Sequence, residues 1–250
     1  MSFTTFNVER RGRVAEIRMA RPDRGNPIDA RFLDELDAAA QALHDDPEVS
    51  AVLLTAEGDV FSSGRLADAE GMAEPRRLPF RALETVCPPI IAVIEGDAIG
   101  AGLELALACD LRIAAEEAML ALPDVAMGVA PAGGATARLP RIAGRGLAAE
   151  MILLSARVDG RRALACGLVN EALPRPGVRQ RAEQIAGDIA HQGPIAVRYA
   201  KEAIVRGLDM PLEQALRYET DLTIILQTTA DRAEGVRAFL EKRPPQFEGR

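Results

Sequence analysis

The segment Ile90–Asp110, IIAVIEGDAIGAGLELALACD, constrains this chain more than any other. An unbroken apolar run, Ile90-Ile91-Ala92-Val93-Ile94, follows Pro88-Pro89 and predicts a strand buried on both faces. Gly96, Gly100 and Gly102 come next and let the backbone turn tightly and approach a ligand. Leu103–Ala108 is apolar nearly all round, which predicts a short buried helix. Glu104 lies in its first turn, and residues 107 and 108 offer no basic partner. A carboxylate in such a place costs free energy unless something compensates. From this segment alone two readings stay open: an acid favoured by the helix N-terminus, or an acid kept for chemistry.

The flanking pattern supplies the class of fold. Val14–Met19 alternates and ends at Arg21-Pro22, which predicts a strand followed by a polar loop to Asn26. Phe32, Leu33, Leu36, Ala39, Ala40 and Leu43 recur at helical spacing over residues 30–43. Ala51–Thr55 and Leu111–Ala114 read as further strands. Residues 78–86 read as a helix, residues 67–75 as an irregular acidic stretch, and Phe61-Ser62-Ser63-Gly64 as a turn. Strands alternating with helices imply an α/β core with parallel pairing. After about residue 178 the pattern becomes helical: residues 179–192, a helix opened by Pro194, one opened by Pro211, and one whose start resembles a capping box of Asp231 and Glu234. The expected division is a core over residues 1–190, carrying the site, and a helical region over residues 191–250.

Composition removes several functions. Lys plus Arg number 30 and Asp plus Glu 37, so the net charge is −7, unfavourable for general binding to nucleic acid or anionic membranes. His44 and His191 lie far apart, and Cys87, Cys109 and Cys166 form no CxxC pair, so no metal site is expected. The unpaired cysteines predict a reducing, cytoplasmic setting. No apolar signal core or charge-free membrane span is present, and the phosphate-loop, GxGxxG and GxSxG motifs are missing.

Glycine-rich turns and carboxylates remain. Asp124 follows Pro123 between apolar runs, where a turn role is the commoner reading. Gly133-Gly134 predicts a tight turn into another helix, either for close packing or for a site. The Gly64 turn can aim a backbone N–H into a cleft, and Arg65 taken singly is a solvated side chain.

Taken together and in this order, VAEIRMARPDRGNPID, FSSGR, IEGDAIGAGLELALACDLRIA, LPDVAMGVAPAGGATARLPRIAG and ARVDGRRALACGLVNEALP resemble the enoyl-CoA hydratase/isomerase (crotonase) superfamily, from about Val14 to Phe247. The resemblance implies a crotonase-like spiral of ββα turns with a helical C-terminal trimerisation region, assembled as a homotrimer or dimer of trimers. It implies an acyl-CoA thioester substrate and no metal or redox cofactor. The backbone N–H groups of Arg65 and Ala101 then form an oxyanion hole, with Ser63, Gly64, Leu66 and Gly100 lining the substrate channel. Glu104 matches the first catalytic glutamate, and Asp124 falls where hydratases carry a second acid. Arg24 and Asn26 match the coenzyme-binding loop after the first strand. Phe239 and Lys242 match coenzyme contacts near the C-terminus, Lys242 from a neighbouring subunit. Read as residues alone, Arg24 and Lys242 are equally surface charges, and Phe239 at its helical spacing is more often core.

The implied reaction is addition of water across a 2,3-double bond. Two departures bear on it. Asp124 replaces a longer acid and sets its carboxyl back by about one C–C bond, ~1.5 Å. The stretch after Gly64 reads Arg-Leu-Ala-Asp and is short before Pro88. A double-bond isomerase, a specialised hydroxyacyl-CoA dehydratase and a non-catalytic CoA-ester binder are the alternatives. A two-carboxylate glycosidase is disfavoured by the absence of Trp and the scarcity of aromatics.

Overall fold

The computed structural model describes residues 3–64 and 80–250. Among them the apolar runs become the strands of a six-stranded sheet: β1 (Phe6–Arg11), β2 (Val14–Met19), β3 (Ala51–Ala56), β5 (Ile90–Ile94), β7 (Leu111–Ala115) and β10 (Glu171–Leu173), in the order β1-β2-β3-β5-β7-β10. Only β1 runs antiparallel to its neighbour. The central strands are buried on both faces, hence their near-continuous Val, Ile, Leu and Ala. A second sheet stacks the short strands β4 (Val60–Ser62), β6 (Asp97–Ile99), β8 (Met119–Ala121) and β9 (Arg157–Asp159) in that order. Each central strand of the first sheet therefore leads into a short strand of the second: β3 into β4, β5 into β6, β7 into β8. The helices α2 (Arg81–Thr85), α3 (Ala101–Leu107) and α4 (Ala135–Leu153) follow these pairs. This is the spiral of ββα turns that the motifs implied.

Glycine sets how closely successive turns approach. A Cβ on Gly96 would stand 1.9 Å from the Asp59 carbonyl oxygen, and one on Gly160 would stand 2.0 Å from that of Ala115. Both distances are far inside van der Waals contact.

The helices cover the sheets. In α1 (Ala30–Asp45) the carboxylate of the N-cap Asp29 accepts the Phe32 N–H at 2.8 Å. Its buried face is Phe32, Leu33, Leu36, Ala39, Ala40 and Leu43, the set its spacing predicts. The short helix α5 (Gly160–Ala165) follows β9, and α6 (Arg175–Ala190) buries Val178, Ala182 and Ala186. Arg179 of α6 reaches Glu16 on β2 at 3.1 Å. Next come α7 (Pro194–Gly207), α8 (Leu212–Leu226) and α9 (Ala230–Glu241). Lys201 of α7 is buried, and its Nζ donates to Asp110 Oδ2 at 2.6 Å and to the Pro88 carbonyl at 3.1 Å. That pair fastens the C-terminal helices to the segment between α3 and β7.

Three expectations change. Val60–Ser62 is a strand, so only Ser63 and Gly64 remain of the turn; β-bridging to residues 97 and 98 captures a segment too short to show a period. Of the helix expected over residues 78–86, residues 78 and 79 lie outside the described residues, and the rest is helical over Arg81–Thr85, with Phe80 at φ 65° as its N-cap and Val86 as its C-cap. The cap of α9 is Thr229, whose Oγ1 accepts the Arg232 N–H at 3.2 Å. Asp231 instead accepts the N–H groups of Glu248 and Gly249 at 2.7 and 2.9 Å, and Glu234 pairs with Arg243. The C-terminal tail is thereby clasped, and Arg13 Nη1 also donates to the Phe247 carbonyl at 3.4 Å. Among the described residues no helix is long and apolar enough to cross a membrane, and no group of three or more His, Cys, Asp or Glu could hold a metal ion.

Candidate active site

The turn between β6 and α3 is the centre of the site. Gly100 takes a φ of 52° and donates its N–H to the Ala121 carbonyl at 2.8 Å, which holds the turn against β8. Ala101 opens α3, so its N–H belongs to the first-turn donors that have no partner within the helix. One turn on, Glu104 is 1% exposed among Leu103, Leu105 and Leu107. Its Oε1 accepts the N–H of Gly133 at 2.6 Å and that of Ala135 at 3.1 Å. Charge-assisted bonds of this kind offset much of the cost of burying a carboxylate. The donors are Gly133 of the Gly133-Gly134 turn and Ala135, the first residue of α4, so the turn packs closely against Glu104 and holds its carboxylate.

Gly133 leaves no room for a side chain beside Glu104. A Cβ there would lie 2.4 Å from Glu104 Oε2 and 3.0 Å from Cε2 of Phe80. Arg138, one turn into α4, braces the same turn. Its Nη1 donates to the Gly133 carbonyl at 2.7 Å and its Nε to Glu84 on α2 at 2.5 Å.

Asp124 sits in the first turn of a 3-10 helix, Pro123–Met127, that leaves β8. Its Oδ2 is buried and has no hydrogen-bond partner among the described residues. A Cβ on Gly100 would lie 3.9 Å from that oxygen. Asp124 therefore faces the Gly100 turn from one side, while Glu104 bonds back to that turn through its own N–H at 3.0 Å from the Gly100 carbonyl. Beyond Asp124, Val125, Met127 and Val129 leave apolar side chains exposed.

The loop after β2 meets this centre through β4. Arg24 ends a 3-10 turn, Pro22–Arg24, and its side chain is exposed. Asn26 is buried with a φ of 50°, and its carboxamide is committed to main chain: Oδ1 accepts the Arg21 N–H, and Nδ2 donates to the carbonyls of Glu57 and Val60. Asn26 shapes the loop with its side chain rather than presenting it outward. Ser63 is exposed and donates its N–H to the Gly25 carbonyl at 2.8 Å, and the Gly64 carbonyl accepts from Ile28 at 2.9 Å. A Cβ on Gly64, at φ 94°, would lie 2.8 Å from the Ile99 carbonyl oxygen and 3.6 Å from the Ala101 nitrogen. Arg24, Asn26, Ser63, Gly64, Gly100, Ala101, Glu104 and Asp124 thus form one continuous region. Arg65 and Leu66 lie outside the described residues.

Phe239 and Lys242 stand apart, at the end of α9. Phe239 is 83% exposed, so within the chain it is not core, and Lys242 is the exposed left-handed C-cap. Sequence reasoning missed Ser62, Phe80, Arg112 and Arg138. Arg112 is buried beneath α3, with Nη1 2.7 Å from the Cys109 carbonyl and Nε 2.9 Å from that of Leu168. Burial lowers its pKa from the ordinary arginine value. The only signal for it was a charge inside an apolar strand.

Nearly the whole chain is similar to known proteins. The enoyl-CoA hydratase/isomerase family model matches residues 9–250. The chain is 33% identical to the short-chain-enoyl-CoA hydratase of Clostridium acetobutylicum, with 97% of each chain covered. It is 34% identical to the 2,3-dehydroadipyl-CoA hydratase of Escherichia coli, with 97% of this chain and 98% of that one covered. A solved structure of enoyl-CoA hydratase from Bacillus anthracis superposes with a TM-score of 0.94 at 36% identity, covering 99% of this chain and 100% of the other.

Proposed function

The chain belongs to the enoyl-CoA hydratase/isomerase family, and from that membership we propose that it is an enoyl-CoA hydratase, adding water reversibly across the 2,3-double bond of a 2-enoyl-CoA thioester. The observation that carries this reading is the pair of acids at one turn: Glu104, buried and held by the Gly133 and Ala135 N–H groups, and Asp124 with its Oδ2 beside Gly100. An isomerase needs one proton shuttle; two acids at one turn suit the placing of a water.

The steps follow from the residues. The thioester oxygen lies on the N–H of Ala101, with that of Arg65 as second donor, and these stabilise the enolate as charge moves onto oxygen. Each such donor lowers the barrier by about 3–4 kcal/mol. Glu104 takes a proton from the water as its oxygen bonds to C3, Asp124 gives a proton to C2, and passage of the proton from Glu104 back to Asp124 restores both acids, so one water is consumed and the double bond is lost. Arg24 meets coenzyme phosphates from the loop after β2. The short reach of Asp124 and the exposed Val125, Met127 and Val129 favour a substrate shape of its own, and a specialised hydroxyacyl-CoA dehydratase is the second reading.

Residues 191–250 act as the trimerisation region. Ile204, Leu208, Leu212, Leu216 and Leu240 are apolar and more than half exposed on α7–α9, which supports burial against further copies of the chain. Phe239 and Lys242 then reach the coenzyme of a neighbouring subunit. The three free cysteines suit a cytoplasmic enzyme.

The test is loss of the conjugated thioester absorbance of crotonyl-CoA, with wild type beside Asp124→Asn. Fast loss in wild type that is abolished in the variant is expected. Fast loss in both reduces Asp124 to a turn residue. No loss in wild type rejects a general short-chain hydratase in favour of the dehydratase, an isomerase or a CoA-ester binder.

A further inference from the structure

The turn that holds Glu104 is made of two consecutive glycines, Gly133 and Gly134, the second at a φ of 106°. Glycines are the least restricted of residues, so the chain itself does little to fix this turn. Yet its two flanking N–H groups, of Gly133 and Ala135, converge on one oxygen, Glu104 Oε1. Main-chain donors gathered around an anion in this way form a nest. The carbonyl between them, that of Gly133, accepts Nη1 of Arg138 at 2.7 Å. A Cβ on Gly134 would stand 2.0 Å from the same Nη1, so the guanidinium lies against both glycines. Arg138 is held in its turn. Its side chain is 17% exposed, and its Nε donates to Glu84 Oε1 on α2 at 2.5 Å. Phe80, buried at the N-cap of the same α2, packs its ring toward Gly133.

We propose that Arg138 is a positioning residue for Glu104: it pins the Gly133 carbonyl, and so keeps the N–H groups on either side aimed at the carboxylate, while Glu84 holds the guanidinium in place. The proposal rests on the reading of Glu104 as the base that activates water. Its physical basis is the freedom of the glycine pair. The Gly133 and Ala135 N–H groups meet at one oxygen only while the torsions of both glycines keep their relation. Fixing the peptide between them fixes that relation, and Arg138 is the group bonded to that peptide. With Arg138 removed, the turn is free to rotate, and the carboxylate loses the donors that set its position. The fold loses less, because Glu84 is 33% exposed and water can replace its partner. A misplacement on the order of 1 Å costs about 100-fold in rate.

The test compares Arg138→Met and Arg138→Lys with wild type by kinetics on crotonyl-CoA. Both changes are repeated in a Glu104→Asp parent, whose acid is shorter by about one C–C bond, ~1.5 Å, and stands back from the turn. Amide hydrogen exchange at Gly133 and Ala135, followed by mass spectrometry, reads the turn without any turnover. The expected result for Arg138→Met is kcat lowered about 10- to 100-fold with KM within about threefold. Exchange at the two amides rises by about tenfold or more. Arg138→Lys, which keeps a cation for the Gly133 carbonyl but not the fork to Glu84, recovers part of kcat. In the Glu104→Asp parent, Arg138→Met lowers kcat by less than about threefold, because its effect passes through the glutamate. Three results overturn the proposal: kcat within about twofold of wild type in Arg138→Met, an equal fold loss in both parents, or kcat, KM and melting temperature all worsening with no recovery in Arg138→Lys. If Arg138→Met does not fold, Glu84→Leu carries the test, with kcat lowered about 3- to 10-fold at steady KM expected and an unchanged kcat overturning the proposal. A wild type that does not hydrate crotonyl-CoA rejects the hydratase alone. Arg138 is then judged by exchange: faster exchange in Arg138→Met sustains its hold on the turn, and unchanged exchange overturns it.

Discussion

Glu104 and Gly133 fit one another atom by atom: Oε1 of the acid accepts the Gly133 N–H at 2.6 Å, and a Cβ on residue 133 would stand 2.4 Å from Oε2. Gly133→Ala therefore displaces the carboxylate rather than the fold. The expected effect is a fall in kcat of about 100-fold, with a melting temperature within a few degrees of wild type. Kinetics and a thermal melt on the same preparation check both halves.

Buried Lys201 and half-buried Asp110 pair at 2.6 Å and join α7 to the segment after α3. Removing Lys201 leaves Asp110 partly solvated and still accepting the Ile90 N–H at 2.7 Å, so Lys201→Met is expected to cost about 1–3 kcal/mol in urea unfolding. Adding Asp110→Asn to that variant returns part of the loss, which a double-mutant cycle measures. Strict additivity of the two changes would refute the coupling.

Acid sensitivity has a nameable contributor in Glu35. Burial raises its pKa, but hydrogen bonds from the side chains and N–H groups of Thr5 and Thr4 outweigh this and hold it at about 2, against an ordinary 4.5. A carboxyl with a depressed folded-state pKa stabilises fully above its unfolded value and loses that contribution as pH falls. Glu35→Gln is expected to cost about 1–2 kcal/mol at pH 7, and the gap from wild type closes between about pH 4.5 and pH 2. A gap independent of pH in unfolding titrations would count against this account.

Thiol chemistry separates the cysteines. Burial, with Asp110 alongside, pushes the Cys109 thiol up to about 12, so almost no thiolate exists at pH 8. Mass spectrometry after native labelling with iodoacetamide at pH 8 is expected to find Cys109 unmodified, and labelled only after denaturation.

What the sequence revealed, and what it hid, follows from how each element gets its stability. Ile90–Ile94 and the α1 face were legible because burial imposes a pattern on the residues themselves. Strands β8, β9 and β10, each three residues long, carry no period and exist because neighbouring strands receive them. Glu104 stood out as an acid among leucines, but its partners Gly133 and Ala135 are 29 and 31 residues away and could be found only in three dimensions. Ser62 reads in sequence like any serine near a turn, and its contacts with Asn26 and Gly102 exist only after the spiral has closed. At α9 the local rule misled: Asp231 with Glu234 fits a capping box, but the tail competes for Asp231 and wins, leaving the cap to Thr229.

The grip of Arg13 and Asp231 on the tail also orders events during synthesis. Arg13 leaves the ribosome 234 residues ahead of the Phe247 carbonyl that it binds. At about 5–20 residues per second, the hairpin bearing Arg13 waits roughly 10–50 s for that partner. Over that interval β1 and β2 depend on pairing with β3, which is only about 40 residues behind. The clasp thus latches a sheet that already stands, and damage to it should shorten the lifetime of the finished molecule more than it slows its making.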